Sequence, residues 1–570
     1  MRQSRLLSDR WGPRDGSRTV LAGGEPSADV PLAAVLVVFA AAYLPFVGKA
    51  FHLDDPMYLW AARHIGKDPL DFYGFVVNWH GTATPMAAVM KNPPLTSYFI
   101  AGATAVLGWS EPALHLAFIA PAIAAVWGTY SLARLLSAPP GVAALAVVCS
   151  PVFLVSSTTV MSDVLLTAAW VWAVVLWLQG IERNRWASLA ASAALIAVAA
   201  LCKYFGIALV PLLAAYTLLE RRRPLSLAWL LVPLVVMGLF EAYTARLYGR
   251  GLWLDAAVYA GEVRHVREWN ATVKVTVGLS FLGGCYLPVL LFAGKLWRRR
   301  GWLAGAAIAI ACAAMLAATG SLGAYSFAAA DGMRWRVIVQ VAVLVAAGAG
   351  VVALAVLDLA GARDAKSALL GLWVLGTLAF AVSLNWSVNA RSLLPMAPAV
   401  GVLLARRLDE LGGARTEPWI ARWGPMLASA MVAVAIAYAD YRLAGTARDA
   451  ATEFASVRQR GGTAWFEGHW GFQYYAEEQG LVPLDSDRSV VRHGDIIIVP
   501  GFNSNLFALP EDGIVIERVA TFPVWPVLTT MNGWAGAGFY SDVAGPLPFA
   551  VGPVAAERYA VVEAKSDFRP

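Results

Sequence analysis

Charge is scarce in this sequence. Only 14% of its 570 residues are Asp, Glu, Lys or Arg, whereas 59% are hydrophobic; a soluble domain carries about 25% charged residues. That shortfall excludes an ordinary water-soluble globule, because only lipid hides so much apolar surface. Cysteine is nearly absent as well. Cys149, Cys202, Cys285 and Cys312 lie far apart in or beside apolar segments, with no CxxC spacing, which excludes a disulfide framework and a cysteine zinc site. There is no fixed-period repeat and no low-complexity linker.

The formal net charge is +6, but the cations gather in short runs between apolar stretches: Arg221 to Arg223, Arg298 to Arg300, and Arg406 with Arg407. That is the positive-inside pattern of a membrane protein and not a nucleic-acid patch, so no nucleic-acid partner is expected. The first 29 residues are polar and arginine-rich (Arg2, Arg5, Arg10, Arg14, Arg18) and form a cytoplasmic N-terminal tail. The apolar run from Val30 to about Ala50 exceeds the roughly 7 to 15 residues of a signal-peptide core, which makes it an uncleaved first span.

Spanning segments of about 17 to 25 residues follow one another as far as Tyr441, so residues 30–441 read as a transmembrane domain. Placing the arginine runs inside sets the sides. The first loop (51–92), Asp163, the turn at Lys203 and Asn385 to Arg391 all fall outside. Parity then raises a conflict, because three apolar stretches (about 94–109, 112–136 and 141–159) separate two points on the same side. The first of them is short and opened by Pro93 and Pro94, and is expected to be a shallow or re-entrant helix, which leaves about 13 spans. The last span, about 424–441, delivers residues 442–570 to the outer face. There, DIIIV (Asp495 to Val499) and GIVIERVA (Gly513 to Ala520) read as strands and Gly471 to Gln479 as a helix. The expected fold class is a polytopic α-helical membrane protein of about 13 transmembrane helices with a small C-terminal extracytoplasmic α/β domain. It belongs as a multi-pass protein in the cell inner (plasma) membrane, with membrane lipids as neighbours.

Four polar features share the outer side, each with a plain structural alternative. In Leu53-Asp54-Asp55-Pro56-Met57-Tyr58, Asp55 before Pro56 has the form of a helix N-cap, which leaves Asp54 free as a general-base candidate. Ser162-Asp163 opens a span and is either a cap or a functional acid. Lys203 in Cys202-Lys203-Tyr204 either snorkels to an interface or holds an anion such as a lipid phosphate. Arg391, before Leu393-Leu394-Pro395, is either an ordinary surface arginine or a second anion contact. His80 in Asn78-Trp79-His80-Gly81 and the aromatic run Trp465 to Tyr475 suit sugar stacking, or an interfacial aromatic belt equally well. Acids and cations converging on one face suit a lipid-phosphate ligand and a base-assisted transfer.

The order LDDPMYLW, KNPPLTSY with LGWSEPALH, VMSDVLL and CKYFGIALVPLL, with NARSLLPMAP further on, resembles the GT-C superfamily of polyprenyl-phosphate-sugar-dependent glycosyltransferases. The branch it resembles holds protein O-mannosyltransferases and bacterial transferases that add aminoarabinose to lipid A. The likeness runs over about residues 30–220 and returns at NARSLLPMAP. It implies a GT-C-like fold, a polyprenyl-phosphate-sugar donor, and a lipid, glycan or protein acceptor. By position it implies catalytic acids among Asp54, Asp55 and Asp163, with Asp54 first; phosphate contacts from Lys91, Lys203 and Arg391; and substrate contacts from Tyr58, His80, Asn92 and Tyr204. The chain departs from the lipid A branch at Lys91-Asn92-Pro93, where that branch reads Glu-Lys-Pro. No metal ligand is therefore assigned, and a divalent metal stays open as a cofactor. It departs again at Pro56-Met57, where the branch has Thr-Arg. The rival readings are a secondary transporter or lipid flippase without transferase chemistry, set against the absence of repeats, and a non-catalytic membrane scaffold.

Overall fold

The computed structural model describes residues 29–266, 270–330, 332–412 and 418–570; the tail expected at 1–29 lies, but for its last residue, outside the described residues. Among the described residues, seven helices are long and apolar enough to cross a bilayer on their own, from Glu111–Leu135 to the long helix that begins at Trp419. Five shorter apolar helices accompany them. Local chemistry sets several boundaries. Ser110 accepts a hydrogen bond from the Ala113 amide, with Pro112 just inside the helix; Asn270 caps Ala271–Cys285 through the Val273 amide; and Asp364 caps Ala365–Ala379 through the Ser367 amide. Each satisfies an amide that the first helical turn leaves without a partner.

The stretch in which parity demanded an irregular element contains two. Leu95–Leu107 is a 13-residue helix, about 20 Å long against a hydrocarbon core of about 30 Å. Pro140–Val148 and Pro151–Ser157, expected as one span, are instead bent by 63°. Pro151 lacks the amide that would continue the helix, and its ring crowds the preceding turn. Elsewhere helices approach closely through glycine: a Cβ on Gly283 would lie 2.0 Å from the Leu344 carbonyl, and one on Gly348 2.1 Å from that of Leu279. This small-residue contact joins Ala271–Cys285 to Trp335–Ala362.

Trp419–Phe454 is one continuous helix of 36 residues. Its lower part packs among apolar helices, whereas Ala447, Ala450, Ala451 and Phe454 enter the core of the C-terminal sheet. Position 442, expected to open the soluble domain, therefore falls inside this helix. The sheet has five strands in the order Ile514–Phe522, Glu557–Ala564, Ile496–Pro500, Ala464–Phe466, Val482–Pro483. The first two pairings are antiparallel and the last two parallel, and Trp470–Glu478 is the crossover helix between the parallel neighbours. This is the α/β pattern read from the sequence. Between the two longest strands the chain makes an excursion, 523–556, whose Leu528, Met531, Phe539, Tyr540, Leu547 and Phe549 belong to the main apolar core. The sheet is thereby fastened to the helices.

Candidate active site

Asp54 and Asp55 are neighbours with opposite fates. Leu53 lies in the left-handed region at φ 49°, a conformation that costs a bulky residue on the order of 1–3 kcal/mol, and it turns the chain sharply before the Asp55–Ile65 helix. Asp55 is wholly buried, and its two carboxylate oxygens accept from the His52 amide at 2.8 Å and the Val160 amide at 2.9 Å. Burial pushes its carboxyl up to about 7, against the pull of those two amides. It ties the first loop to the turn before Ser162–Arg183 and does not reach the cavity, so neither the expected capping bond nor a catalytic position is found for it. Asp54 occupies the N-cap position without capping. Its side chain is 32% exposed, and its Oδ2 accepts from Arg391 Nη2 at 2.8 Å. Among the described residues nothing donates to its Oδ1.

Arg391 joins two of the expected acids. Its Nη1 lies 3.6 Å from Asp163 Oδ2, while Lys203 Nζ donates to Asp163 Oδ1 at 2.8 Å. Asp163 is 1% exposed and forms ion pairs with both cations, its Oδ2 accepting no hydrogen bond from the described residues. The residues that the sequence placed on one side thus meet in a chain Asp54, Arg391, Asp163, Lys203. Tyr58 stands beside it, its hydroxyl 3.1 Å from Ser162 Oγ.

A cavity of about 1080 Å³ opens over this chain. Asp54, Tyr58, His80, Lys91, Asn92, Lys203, Tyr204 and Arg391 all line it; Asp55 and Asp163 do not. Lys91 is held by Asp255 at 2.5 Å and lies 5.0 Å from the centre of the Tyr259 ring. Partial desolvation and the charge of Lys91 lower the pKa of His80, which stays exposed. One wall is apolar and comes from helices, including Ala256, Ala257, Ala260, Ala379 and Phe380. Another comes from the C-terminal part of the chain, including Trp470, Phe502 and Tyr540. Lys91 stands at the position where the lipid A branch has the Glu of Glu-Lys-Pro. Among the described residues no three of His, Cys, Asp and Glu gather to hold an ion, and no step is drawn through a metal.

Sequence reasoning missed Tyr540, whose ring lies 5.4 Å from the Arg391 guanidinium. It also missed Asp255, and the buried pair of Lys49 and Asp440, neither side chain exposed. Asp440 accepts further hydrogen bonds from Thr530 Oγ1 and from Tyr540 OH, the latter at 2.8 Å. An acid inside an apolar run was a usable signal for Asp440, because such a residue needs a partner.

Residues 91–244 match the family described as dolichyl-phosphate-mannose-protein mannosyltransferase. The matched segment carries KNPPLTSY, VMSDVLL and CKYFGIALVPLL, hence Lys91, Asn92, Asp163, Lys203 and Tyr204; Asp54, Tyr58, His80 and Arg391 lie outside it. Over this segment the chain is similar to an enzyme family of glycosyltransferases, as its motifs implied. No curated protein matches the chain. Among solved structures it is similar to ArnT from Cupriavidus metallidurans bound to undecaprenyl phosphate (16% identity over 82% of this chain and 92% of that one, TM-score 0.39). It is also similar to the oligosaccharyltransferase AglB from Archaeoglobus fulgidus (13% identity, 82% and 69%, TM-score 0.45) and to the arabinofuranosyltransferase AftD from Mycobacteria (14% identity, 77% and 30%, TM-score 0.35). These likenesses are too shallow to bear on the chemistry.

Proposed function

We propose that the protein is a membrane glycosyltransferase that moves a sugar from a polyprenyl-phosphate-sugar donor to an acceptor on the outer face of the inner (plasma) membrane. The observation that carries this reading is a single cavity in which Asp54, with one oxygen taking no hydrogen bond from the described residues, stands beside Arg391, Lys203 and Lys91. A phosphate between these cations finds charge-assisted donors. The apolar helical wall suits the polyprenyl chain, and the match at 91–244 supports the donor class. In this reaction Asp54 takes the proton of the acceptor hydroxyl as its oxygen attacks the anomeric carbon. The bond from that carbon to the phosphate oxygen breaks with inversion, and polyprenyl phosphate leaves with its developing charge met by Arg391 and Lys203. Asp163 acts through these cations by fixing their positions.

The test is transfer of a radiolabelled sugar from polyprenyl phosphate in membranes containing the protein. Asp54→Asn is expected to abolish transfer while the donor still binds. Full transfer by Asp54→Asn, with loss in Asp163→Asn, would overturn the assignment of the base. Movement of intact donor across vesicles without sugar release would favour the flippase reading.

A further inference from the structure

One part of the cavity is left over once donor and base are placed. It lies where the first loop meets the C-terminal domain. The loop's small hairpin, Val76–Asn78 with Ala83–Pro85, is docked on that domain: Asn78 Nδ2 donates to the Leu484 carbonyl, Gln473 Nε2 to the Asn78 carbonyl, the Ala83 amide to Asp485, and the Ser486 amide to the Gly81 carbonyl. At Gly81, φ is +84°, and a Cβ would strike the Phe507 ring at 2.5 Å. The two walls therefore sit in fixed apposition.

What they present is aromatic and uncharged. Trp470 and Phe502 pack at 5.9 Å between ring centres; Trp79, in the loop of the hairpin and packed on His469 at 5.5 Å, lines the same cavity, as do His80 and Asn505. Asn505 is anchored by its own amide to the Trp79 carbonyl at 3.1 Å. Of the eight non-glycine residues with positive φ among the described residues, three line this cavity: Leu53, Trp470 (φ 63°) and Asn505 (φ 53°); the other five lie at or beside helix ends away from it. Left-handed backbone at a bulky tryptophan is held by its surroundings and tends to mark ligand sites. Beside it, His469 is almost fully buried, and its Nε2 has no hydrogen-bond partner.

We propose that Trp79, His80, Trp470, Phe502 and Asn505 form an acceptor subsite for a neutral saccharide. The proposal rests on the transferase reading and narrows its acceptor from three classes to one. Aromatic faces take the apolar faces of sugar rings, and neutral amide and imidazole tips take hydroxyls. Capture of an extended peptide by strand addition uses a free strand edge, yet none of the five strands of the sheet reaches the cavity, and among the described strands only the two-residue Met531–Asn532 does. A phosphorylated acceptor needs an available cation here: the C-terminal residues Trp470, Phe502, Asn503, Ser504 and Asn505 carry none, and Lys91, which lines the same cavity and whose charge reaches His80, is paired with Asp255.

The experiment uses the full chain in nanodiscs. Labelled hexose and pentose tetrasaccharides and a Ser/Thr-rich peptide of similar size are titrated, with polyprenyl phosphate titrated separately. At least one tetrasaccharide is expected to bind saturably and the peptide not at all. His80→Ala and Trp470→Ala should each weaken the saccharide at least tenfold, Trp470→Phe should restore most of the loss, and polyprenyl-phosphate affinity should not move in any of the three. His80 is exposed, so its variant folds even if Trp470→Ala does not. Binding of the peptide in place of the saccharides, binding of neither, or unchanged saccharide affinity in His80→Ala together with Trp470→Ala would overturn the subsite. Saccharide binding with no polyprenyl-phosphate binding would sink the donor reading and leave the subsite standing.

Discussion

Two networks of acids and bases lie on either side of the Tyr540 ring, and they differ in whether water reaches them. In the closed one, Lys49 and Asp440 are fully buried, and Asp440 is further bound by Thr530 and Tyr540. Both of its oxygens are engaged. In the open one, Asp54, Arg391, Asp163 and Lys203 grade from 1% exposure at Asp163 to 32% at Asp54. Its outermost oxygen faces the cavity without a donor among the described residues. A closed network fastens the excursion 523–556 to the first and last long apolar segments, whereas an open one keeps a reactive group available. Partial exposure separates a candidate base from a structural acid more clearly than residue type does.

The largest expected effect falls on the open side. Asp54→Asn should lower transfer by about 10² to 10⁴-fold, measured with labelled donor, while the melting temperature barely changes because Arg391 keeps Asp163. A large loss of stability would erase the distinction. On the closed side, Asp440→Asn should cost about 3–5 kcal/mol, since it strands the buried Lys49 charge, read by thermal unfolding in detergent. The double variant Lys49→Met with Asp440→Leu should recover much of that loss, though not all, because Thr530 and Tyr540 lose their acceptor.

A third test uses pH on an acid outside both networks. Burial pushes Glu467 up to about 7, opposed by the Phe507 amide. A carboxyl whose folded pKa is raised binds protons more tightly in the folded state. Its stabilising contribution is therefore full below the unfolded value near 4.5 and is lost as pH rises through 7. Glu467→Gln removes that loss, so its stability relative to the parent should climb by on the order of 1–3 kcal/mol between pH 5 and 8. A flat difference across that range would contradict the shift. The smallest effect belongs to exposed pairs such as Arg518 with Glu453, both more than 40% exposed: Glu453→Ala should change stability by less than about 1 kcal/mol in the same assay.

Much of the architecture was legible because lipid imposes a one-dimensional rule: apolar length, cation runs and parity require no knowledge of neighbours. The strands DIIIV and GIVIERVA and the helix near Trp470 were readable for the same reason, since local pattern decides them. Parity pointed only to Leu95–Leu107, whereas the bend at Pro151 carried its own signal in Ser150-Pro151, which the apolar length of the run concealed. At the site, residue types and their common side were legible, whereas their partners were not. Lys91 read as a free cation, yet Asp255, 164 residues away, holds it.

By itself the sequence determined a multi-span membrane chain with an α/β C-terminal part, and it singled out Asp54, Asp163, Lys203 and Arg391, which the structure brings into one chain of contacts. Hydropathy and charge act residue by residue, so they survive without coordinates. Only the tertiary structure decided which of two adjacent acids faces the cavity. That choice depends on the left-handed turn at Leu53, on backbone amides at His52 and Val160, and on an arginine 337 residues distant. Contacts of that separation are set by packing, and no local pattern encodes them.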